Sequence, residues 1–356
     1  MSEDLAAATL ALVDIASVSR DEVAILAHVQ AVLAPHAHLR LVDDGDAVRL
    51  YLPASRRADA SLVVLAGHVD TVPIGGGRYP AQREGDAIVG RGTADMKGAL
   101  AVMLALAADP PASDLDLGFL FFGREELPIT ESALVPLFER CPELRETTLA
   151  IVMEPTANAI EVGCNGNLNA LVTIRGTAAH TARPWLGDNA IHAAIEALAS
   201  VADLPVRDVE VGGLTYREVV SVTSLHGGIA QNVVPDLATA HVNFRYAPSR
   251  TPDEAETRLR DLLGHHRVEL RILGNAPPGP AITTNPLVVR LRDAGSLDIG
   301  PKQAWTPVAE FGLAGIDAVN FGPGDPRYAH ADDERIEVGA LGRSRDLLRA
   351  FLAAKE

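Results

Sequence analysis

Imidazole and carboxylate side chains recur in this sequence shortly after short runs of apolar residues. The side chains are His68, after the run 62–66; Glu125 and Glu126, after 117–122; Glu154, after 149–153; and His330, in a Gly/Pro-rich loop after 318–321. Such groups bind metal ions and transfer protons, and a set without thiolates favours Zn²⁺ or its first-row neighbours.

A further carboxylate, Asp95, lies in a Gly-rich loop before an apolar helical segment at 97–108. Taken singly, none of these residues is strong evidence. The pair His68 and Asp70 has a spacing more often found in turns, and adjacent glutamates more often form a solvated face. Several apolar segments that deliver such groups to one edge of a sheet form a much stronger pattern, and this joint pattern predicts a metal site.

The number of candidate ligands predicts two ions. Five ligands exceed the three that one catalytic zinc takes while it keeps a position open, whereas two zinc ions that share a carboxylate use them all. The five are His68, Asp95, Glu126, Glu154 and His330. We expect Asp95 to be the shared carboxylate and Asp70 to orient the His68 imidazole. Eight further histidines have no carboxylate cluster nearby and are assigned no role: His28, His36, His38, His192, His226, His241, His265 and His266.

The apolar runs also predict the elements that position these groups. Short runs rich in Val, Ile, Leu and Phe are typical of strands buried on both faces in an α/β domain. The stretch 5–35 has helical spacing, and Asp21 and Glu22 favour the start of its second helix. Because open α/β sheets bind ligands beyond the carboxyl ends of their strands, we expect the site at that edge.

The middle of the chain indicates a different kind of domain. Alternating stretches at 171–174 and 240–246, with helical patterns at 189–203 and 252–264, predict an antiparallel sheet with one covered face. We therefore expect an α+β domain inserted into the α/β domain, with the Pro-rich segment 276–280 as the candidate linker. The predicted boundaries are 1–169 and 284–356 for the α/β domain and 170–283 for the insertion.

Composition excludes several classes of protein. The 356 residues carry a formal charge of −16, which opposes binding to nucleic acid and to anionic membranes. The longest apolar run, 98–108, has 11 residues, fewer than the roughly 18 that a membrane span needs. Glu3 and Asp4 stand where a secretory signal would be basic, which predicts a cytoplasmic protein. Cys141 and Cys164 are too few for a disulfide framework and are expected to be reduced and buried.

Five motifs resemble those of the di-zinc amidohydrolase/peptidase superfamily. They are Gly67-His68-Val69-Asp70-Thr71-Val72-Pro73, Gly90-Arg91-Gly92-Thr93-Ala94-Asp95-Met96-Lys97-Gly98, the pair Glu125-Glu126, Met153-Glu154-Pro155-Thr156, and His330. The resemblance implies a catalytic domain with a mixed central sheet flanked by helices, and an inserted α+β lid and dimerisation domain. It also implies two Zn²⁺ per subunit, with Co²⁺ as a substitute. His68 and Glu154 would bind one ion and Glu126 and His330 the other.

The resemblance gives the insertion a role as well. Segments 176–184, 227–235 and 244–246 are similar to the lid segments of the superfamily. In a homodimer, His180 would reach the active site of the other subunit, although from sequence alone a capping or core histidine is the more common role. The residues assigned to substrate binding are Arg183, Asn232, Arg245 and, outside the insertion, Thr306.

The activity implied by the resemblance is amide hydrolysis of a small N-acyl amino acid. Glu125 would take a proton from the attacking water and return it to the leaving amine. Segments 303–306 and 320–326 are similar to those of actinobacterial-type desuccinylases, which implies N-succinyl-LL-2,6-diaminopimelate as substrate. The alternatives are an acetylornithine deacetylase, another N-acyl amino-acid hydrolase or metallocarboxypeptidase of the superfamily, and, from a different class, a non-catalytic metal-dependent binding protein.

Overall fold

The computed structural model describes residues 2–264 and 267–354, so His265 and His266 lie outside the described residues. The chain forms two compact units. The larger unit comprises the described residues of 1–163, 280–302 and 306–356, and the smaller unit comprises those of 164–279 and 303–305. These divisions lie within about six residues of the boundaries expected from the sequence at 169/170 and 283/284.

The larger unit contains helices before, within and after its strands. They are α1 (Ser2–Val13), α2 (Val23–Leu33), α3 (Gly98–Ala108), α4 (Leu134–Arg140), α7 (Pro286–Gly295), α8 (Val308–Leu313) and α9 (Val338–Ala353); α5 (Ala190–Ala202) and α6 (Pro252–Leu262) belong to the smaller unit. A five-residue π-helical turn, Thr93–Lys97, leads into α3.

Eight strands form the main sheet of the larger unit, in the spatial order β1-β2-β6-β3-β7-β15-β8-β14. Their bounds are β1 (Leu39–Asp43), β2 (Val48–Pro53), β3 (Leu62–His68), β6 (Asp116–Phe122), β7 (Thr147–Val152), β8 (Ile160–Val162), β14 (Ile299–Pro301) and β15 (Ala318–Asn320). β6, β3, β7 and β15 run parallel to one another, whereas β1, β2 and β8 pair antiparallel with a neighbour. The mixed sheet expected from the sequence is confirmed.

The centre of this sheet is buried on both faces. Every residue of β3 is buried, as expected for an uninterrupted apolar strand between two parallel neighbours. Nine of the eleven residues of α3 that follow the turn at Thr93–Lys97 are also buried, and α3 packs against β3. A strand buried along its whole length and a helix buried along most of its length hold the segments at their ends in place, and the candidate ligands lie on these segments.

A small antiparallel sheet, β16-β5-β4, completes the larger unit. Its strands are β4 (Gln82–Glu84), β5 (Ala87–Val89) and β16 (Arg335–Glu337). β5 leads into the turn at Thr93–Lys97, and β16 follows the loop that carries His330. The pairing of β5 with β16 therefore brings the two ligand-bearing segments together from distant parts of the sequence.

The smaller unit is an antiparallel sheet of β9 (Gly166–Arg175), β10 (Arg207–Val211), β11 (Leu214–Gly227), β12 (Leu237–Tyr246) and β13 (Val268–Ala276), in the order β10-β11-β12-β9-β13. Alternate residues of β9 and β12 are buried. The buried face packs against α5 and α6 through a core of Ala, Val, Leu and Ile side chains. The sheet has one covered face, as its alternating sequence predicts.

Within the described residues, no helix has both the length and the apolar character required to cross a membrane. Cys141 and Cys164 are both buried.

Candidate metal centre

The candidate ligands follow the carboxyl ends of the parallel strands in the larger unit. β3 ends at His68 itself, β6 ends three residues before Glu125, and β7 ends two residues before Glu154. The carboxyl ends of adjacent parallel strands meet at one edge of a sheet, so these side chains are delivered to one crevice. The loop after β15 carries His330, whose backbone φ is +63°.

Asp95 lies between the two histidines. One carboxylate oxygen, Oδ1, is 2.9 Å from His68 Nε2, and the other, Oδ2, is 3.3 Å from His330 Nε2. Asp95 is 8% exposed, and the turn at Thr93–Lys97 holds it away from helical backbone angles. This is the arrangement that a carboxylate shared by two metal ions requires, with one oxygen facing each imidazole.

Glu126 and Glu154 each lie near one of the two histidines. Glu126 Oε1 is 2.9 Å from His330 Nε2, whereas Glu154 Oε1 is 3.7 Å from His68 Nε2. Ligand atoms of His68, Asp95 and Glu126 all lie within 4.8 Å of one another. The structure thus brings all five candidate ligands together, with Glu154 near His68 and Glu126 near His330.

The cluster fits metal ions in its chemistry as well as its geometry. The buried Glu154 Oε1 has no hydrogen-bond partner among the described residues. Several carboxylates with so few donors around them are stable together only when cations or protons balance their charge. The donor set consists of imidazole nitrogens and carboxylate oxygens, which suits Zn²⁺ and its first-row neighbours.

Asp70 contacts the residues that carry this cluster. His68 Nδ1 is 3.0 Å from the Asp70 carbonyl oxygen and 3.6 Å from Oδ1 of its carboxylate. The carboxylate also accepts hydrogen bonds from the backbone N–H groups of Glu125 and Glu126 and from the Ser19 hydroxyl. Asp70 therefore orients one candidate ligand and fixes the turn that carries another.

Four groups of the centre have strongly shifted pKa values: His68, Glu125, Glu154 and His330. Burial alone would lower the pKa of His68, but hydrogen bonds to Asp70 and Asp95 outweigh it and hold this pKa well above its usual range. Burial raises the pKa of Glu125 well above its usual range, with a further contribution from the charge of Glu154. Burial and the charge of Asp95 raise the pKa of Glu154 to about 7. Hydrogen bonds to Asp95 and Glu126 raise the pKa of His330 to about 10.

Three residues that support the candidate ligands through hydrogen bonds could not be identified from the sequence pattern. The Ser19 hydroxyl donates to Asp70 Oδ2 at 2.7 Å. The Lys302 ammonium donates to the carbonyl oxygen of Pro155, next to Glu154, at 3.0 Å. The Glu334 carboxylate accepts from the backbone N–H of Asp95 at 3.1 Å. Each contact joins residues far apart in the chain, so neither spacing nor periodicity indicates it.

Thr306 belongs to the larger unit but is 2% exposed. Its carbonyl oxygen accepts a hydrogen bond from the Ala309 backbone N–H at the start of α8. Its contact with substrate stays a prediction.

The other residues assigned to substrate or to catalysis from a second subunit lie in the smaller unit. His180, Arg183 and Asn232 are exposed, and their loops are joined by a hydrogen bond from the Thr181 N–H to the Asn232 carbonyl. His180 is therefore not a core residue. Its Nδ1 accepts a hydrogen bond from the Ala182 N–H, so a neutral imidazole carries its proton on Nε2 and can donate it.

Arg245 lies apart from these loops, on the face of β12 that α5 and α6 do not cover. Its Nε donates to Asn243 Oδ1 at 3.2 Å, and Asn243 in turn donates to Asn167 and Asn169. Burial lowers the pKa of this guanidinium. The result is a half-buried cation among amides.

Comparison with known proteins finds relatives that match most of the chain. Residues 162–271 match the family described as the peptidase dimerisation domain, M20_dimer. A Mycobacterium tuberculosis protein called "Putative succinyl-diaminopimelate desuccinylase DapE" is 39% identical over 345 residues, covering 97% of this chain and 96% of that protein. Succinyl-diaminopimelate desuccinylase of Corynebacterium glutamicum is 38% identical over 314 residues, which cover 85% of this chain and 84% of that protein. The M20 family metallo-carboxypeptidase Sso-CP2 of Sulfolobus solfataricus has the same fold, with a TM-score of 0.75, 18% identity and coverage of 98% of both chains.

Proposed function

Because this chain belongs to the M20 peptidase family, we propose that it is a metal-dependent amide hydrolase that converts N-succinyl-LL-2,6-diaminopimelate to succinate and LL-2,6-diaminopimelate. The substrate is proposed because the chain is 39% identical, over 97% of its length, to a protein called a putative succinyl-diaminopimelate desuccinylase. Metal-dependent hydrolysis is proposed because Asp95 lies between His68 and His330.

Two divalent ions would be held by the five clustered side chains. His68 and Glu154 would hold one ion and Glu126 and His330 the other, with Asp95 between them; the observed contacts group the residues in the same way. We propose Zn²⁺, with Co²⁺ as a substitute, because both accept nitrogen and oxygen ligands in open sites. When bound, the ions supply Lewis-acid chemistry that acidifies water and polarises the acyl oxygen.

Glu125 performs the proton transfers. Its carboxylate takes a proton from the water whose oxygen attacks the acyl carbon of the succinyl amide. The same carboxyl group then gives that proton to the amide nitrogen as the C–N bond breaks, so the amine leaves neutral and Glu125 is regenerated. Asp70 holds Glu125 in place through the backbone N–H at 3.1 Å.

Substrate carboxylates require cations in a chain whose formal charge is −16. Arg245 is such a cation, half-buried among the amides of β9 and β12. A guanidinium in this setting donates two parallel hydrogen bonds to a carboxylate. We assign Arg245, Arg183, Asn232 and Thr306 to binding the substrate.

The proposed active form is a homodimer in which His180 donates a hydrogen bond to the oxyanion in the other subunit. The match to a dimerisation domain supports the dimer. So do the apolar side chains of Trp185, Leu186 and Ile229 in the smaller unit, which are 75%, 65% and 85% exposed. Solvent-exposed apolar residues of this size are typical of protein interfaces.

Mixing two inactive variants tests this arrangement. His180→Ala and Glu125→Gln subunits, dissociated and reassociated together, form mixed dimers in which one site has both an intact Glu125 and an intact His180 from the neighbour. We expect activity to rise above that of either variant alone. Activity that stays at the level of the separate variants would show that His180 acts within its own subunit.

The substrate proposal is tested by direct comparison of acyl substrates. Zinc-loaded protein is assayed with N-succinyl-LL-2,6-diaminopimelate and with acetylornithine, and we expect kcat/KM to be larger for the first. A larger value for acetylornithine would support the deacetylase instead. Zinc binding without turnover of either compound, or of other N-acyl amino acids, would support a non-catalytic binding protein.

A further inference from the structure

A buried ion pair lies directly behind the bridging carboxylate. Glu334 is 1% exposed and Arg91 is 6% exposed. Glu334 Oε2 accepts a hydrogen bond from Arg91 Nη1 at 2.7 Å. Glu334 Oε1 accepts two more, from the backbone N–H groups of Ala94 and Asp95, both at 3.1 Å.

The same pair reaches the loop of the second histidine. Arg91 Nη2 donates to the carbonyl oxygen of His330 at 3.3 Å. One planar guanidinium therefore contacts both Glu334, which holds the backbone of Asp95, and His330, which faces the Asp95 side chain. The pair closes a ring of contacts around the 3.3 Å gap between Asp95 Oδ2 and His330 Nε2.

The backbone at Asp95 needs this support. Asp95 and Met96 have non-helical angles, with φ of −123° and −135°, inside the turn at Thr93–Lys97. The N–H groups at its start have no preceding helical turn to supply carbonyl acceptors, and a buried N–H group without an acceptor destabilises the fold. Glu334 is the acceptor for two of them.

We propose that Arg91 and Glu334 are positioning residues that set the spacing between the shared carboxylate and His330, and so set the affinity of the ion on the Glu126 and His330 side. The inference rests on the metal centre proposed above. Partners that orient metal ligands typically change metal affinity by about 10–100-fold when they are removed.

The first test is Glu334→Gln, which keeps the shape of the side chain. The amide has one acceptor oxygen and one donor nitrogen, so either Arg91 or the backbone N–H pair faces a donor. We expect zinc affinity, measured by competition with a chromophoric chelator, to fall about 10–100-fold for one of two ions. At limiting zinc, the metal content should fall from two ions toward one.

Asp116 offers a matched control. It is a buried carboxylate, 4% exposed, that accepts hydrogen bonds from Arg56, from Arg57 and from a backbone N–H, but it lies at the first residue of β6, the end opposite Glu125. Asp116→Asn should lower the melting temperature and leave both zinc affinities unchanged. Equal losses of zinc affinity in Asp116→Asn and Glu334→Gln would show a general loss of stability and overturn the inference.

Two Arg91 variants keep the test decisive if Glu334→Gln fails to fold. Arg91→Lys retains a cation for Glu334 but has one ammonium in place of the two Nη groups that contact Glu334 and His330, whereas Arg91→Met retains no donor. We expect zinc affinity in the order parent, Arg91→Lys, Arg91→Met. If the parent binds zinc and all folded variants bind it within twofold of the parent affinity, this inference alone is overturned. If the parent binds no zinc, the proposed centre itself is overturned.

Discussion

Glu125 and Glu126 are adjacent in the chain but have different partners. The Glu126 side chain contacts His330 at 2.9 Å. The backbone N–H of Glu125 donates to Asp70, and among the described residues the Glu125 side chain has no hydrogen bond to a histidine. In the proposed mechanism, the turn after β6 therefore presents Glu126 as a metal ligand and leaves Glu125 for proton transfer. The two glutamates should differ sharply in what their replacement removes.

We predict that Glu125→Gln binds zinc normally but loses activity. Gln cannot take a proton from water, so kcat should fall by about 10²–10⁴-fold, the usual contribution of a general base. Metal content and activity are measured on the same sample. Glu143→Gln, on the exposed ion pair with Arg40, is the control and should be fully active. Activity of Glu125→Gln within tenfold of the parent would remove Glu125 from the mechanism.

Glu310 provides a prediction away from the centre. It is 2% exposed in α8, and burial raises its pKa to about 7. A raised carboxyl pKa means that the folded protein binds the proton more tightly than the unfolded chain. The stabilisation is therefore complete below about pH 4.5 and is lost as the pH rises through about 7.

Glu310→Gln should therefore make stability less dependent on pH. We expect the variant to gain up to about 3 kcal/mol relative to the parent between pH 5 and pH 8, because its side chain needs no proton to be neutral. Urea denaturation at several pH values measures this, with the exposed Glu139→Gln as control. Parallel pH profiles for parent and variant would contradict the prediction.

The candidate ligands could be predicted because each follows a strand or precedes a helix that the hydrophobic pattern reveals. Their supports could not. Ser19, Lys302 and Glu334 act through hydrogen bonds to residues 51, 147 and 239 or more positions away. Single polar residues carry no periodicity, and only the folded backbone shows which carbonyl or N–H group they meet.

At the scale of elements, the long apolar segments were predicted within a few residues, because burial on both faces leaves uninterrupted runs. β3, β6, β7 and β15 are confirmed, and α5 and α6 correspond to the predicted patterns at 189–203 and 252–264. β4, β5 and β16, of three residues each, were not predicted. Asp95 was expected in a loop, whereas it lies in a π-helical turn whose geometry depends on Glu334 behind it.

The loop after β15 packs tightly against the end of β7. A Cβ atom added to Gly322 would lie 2.3 Å from the Met153 carbonyl oxygen and 2.5 Å from that of Glu154. Gly322→Ala must therefore displace the segment that carries Glu154. We expect a loss of about 1–3 kcal/mol in stability and a lower zinc affinity.

A matched glycine separates this effect from that of an added methyl group. Gly339, in α9, has open space around its Cβ position, so Gly339→Ala should be neutral or slightly stabilising and bind zinc as the parent does. Urea denaturation and zinc competition are measured on both variants. Equal behaviour of the two would show that the close approach at Gly322 does not position Glu154.

At the scale of the whole molecule, the centre concentrates negative charge in a chain whose net charge is already −16. Asp70, Asp95, Glu125, Glu126 and Glu154 lie at one edge of the main sheet, and cations should stabilise them together. We predict that chelation lowers the melting temperature, because an ion present at 100 times its Kd contributes about 2.7 kcal/mol.

Differential scanning calorimetry with and without a chelator measures this effect. Zn²⁺ or Co²⁺ should restore the melting temperature, while Ca²⁺, which prefers six to eight oxygen ligands, should not. A melting temperature that is the same with and without chelator would show that bound ions add nothing to the stability of the fold.

The larger unit is interrupted by the smaller one, so the partners of Asp95 come from both sides of residues 164–279. During synthesis, the first four candidate ligands emerge from the ribosome long before His330 and before Glu334, which accepts from the backbone N–H of Asp95. Until synthesis has passed residue 334, the nascent chain can offer only an incomplete set of candidate ligands, so a pair of ions can be captured only after residues 164–279 have been made. Metal uptake would thus report that synthesis has passed the smaller unit.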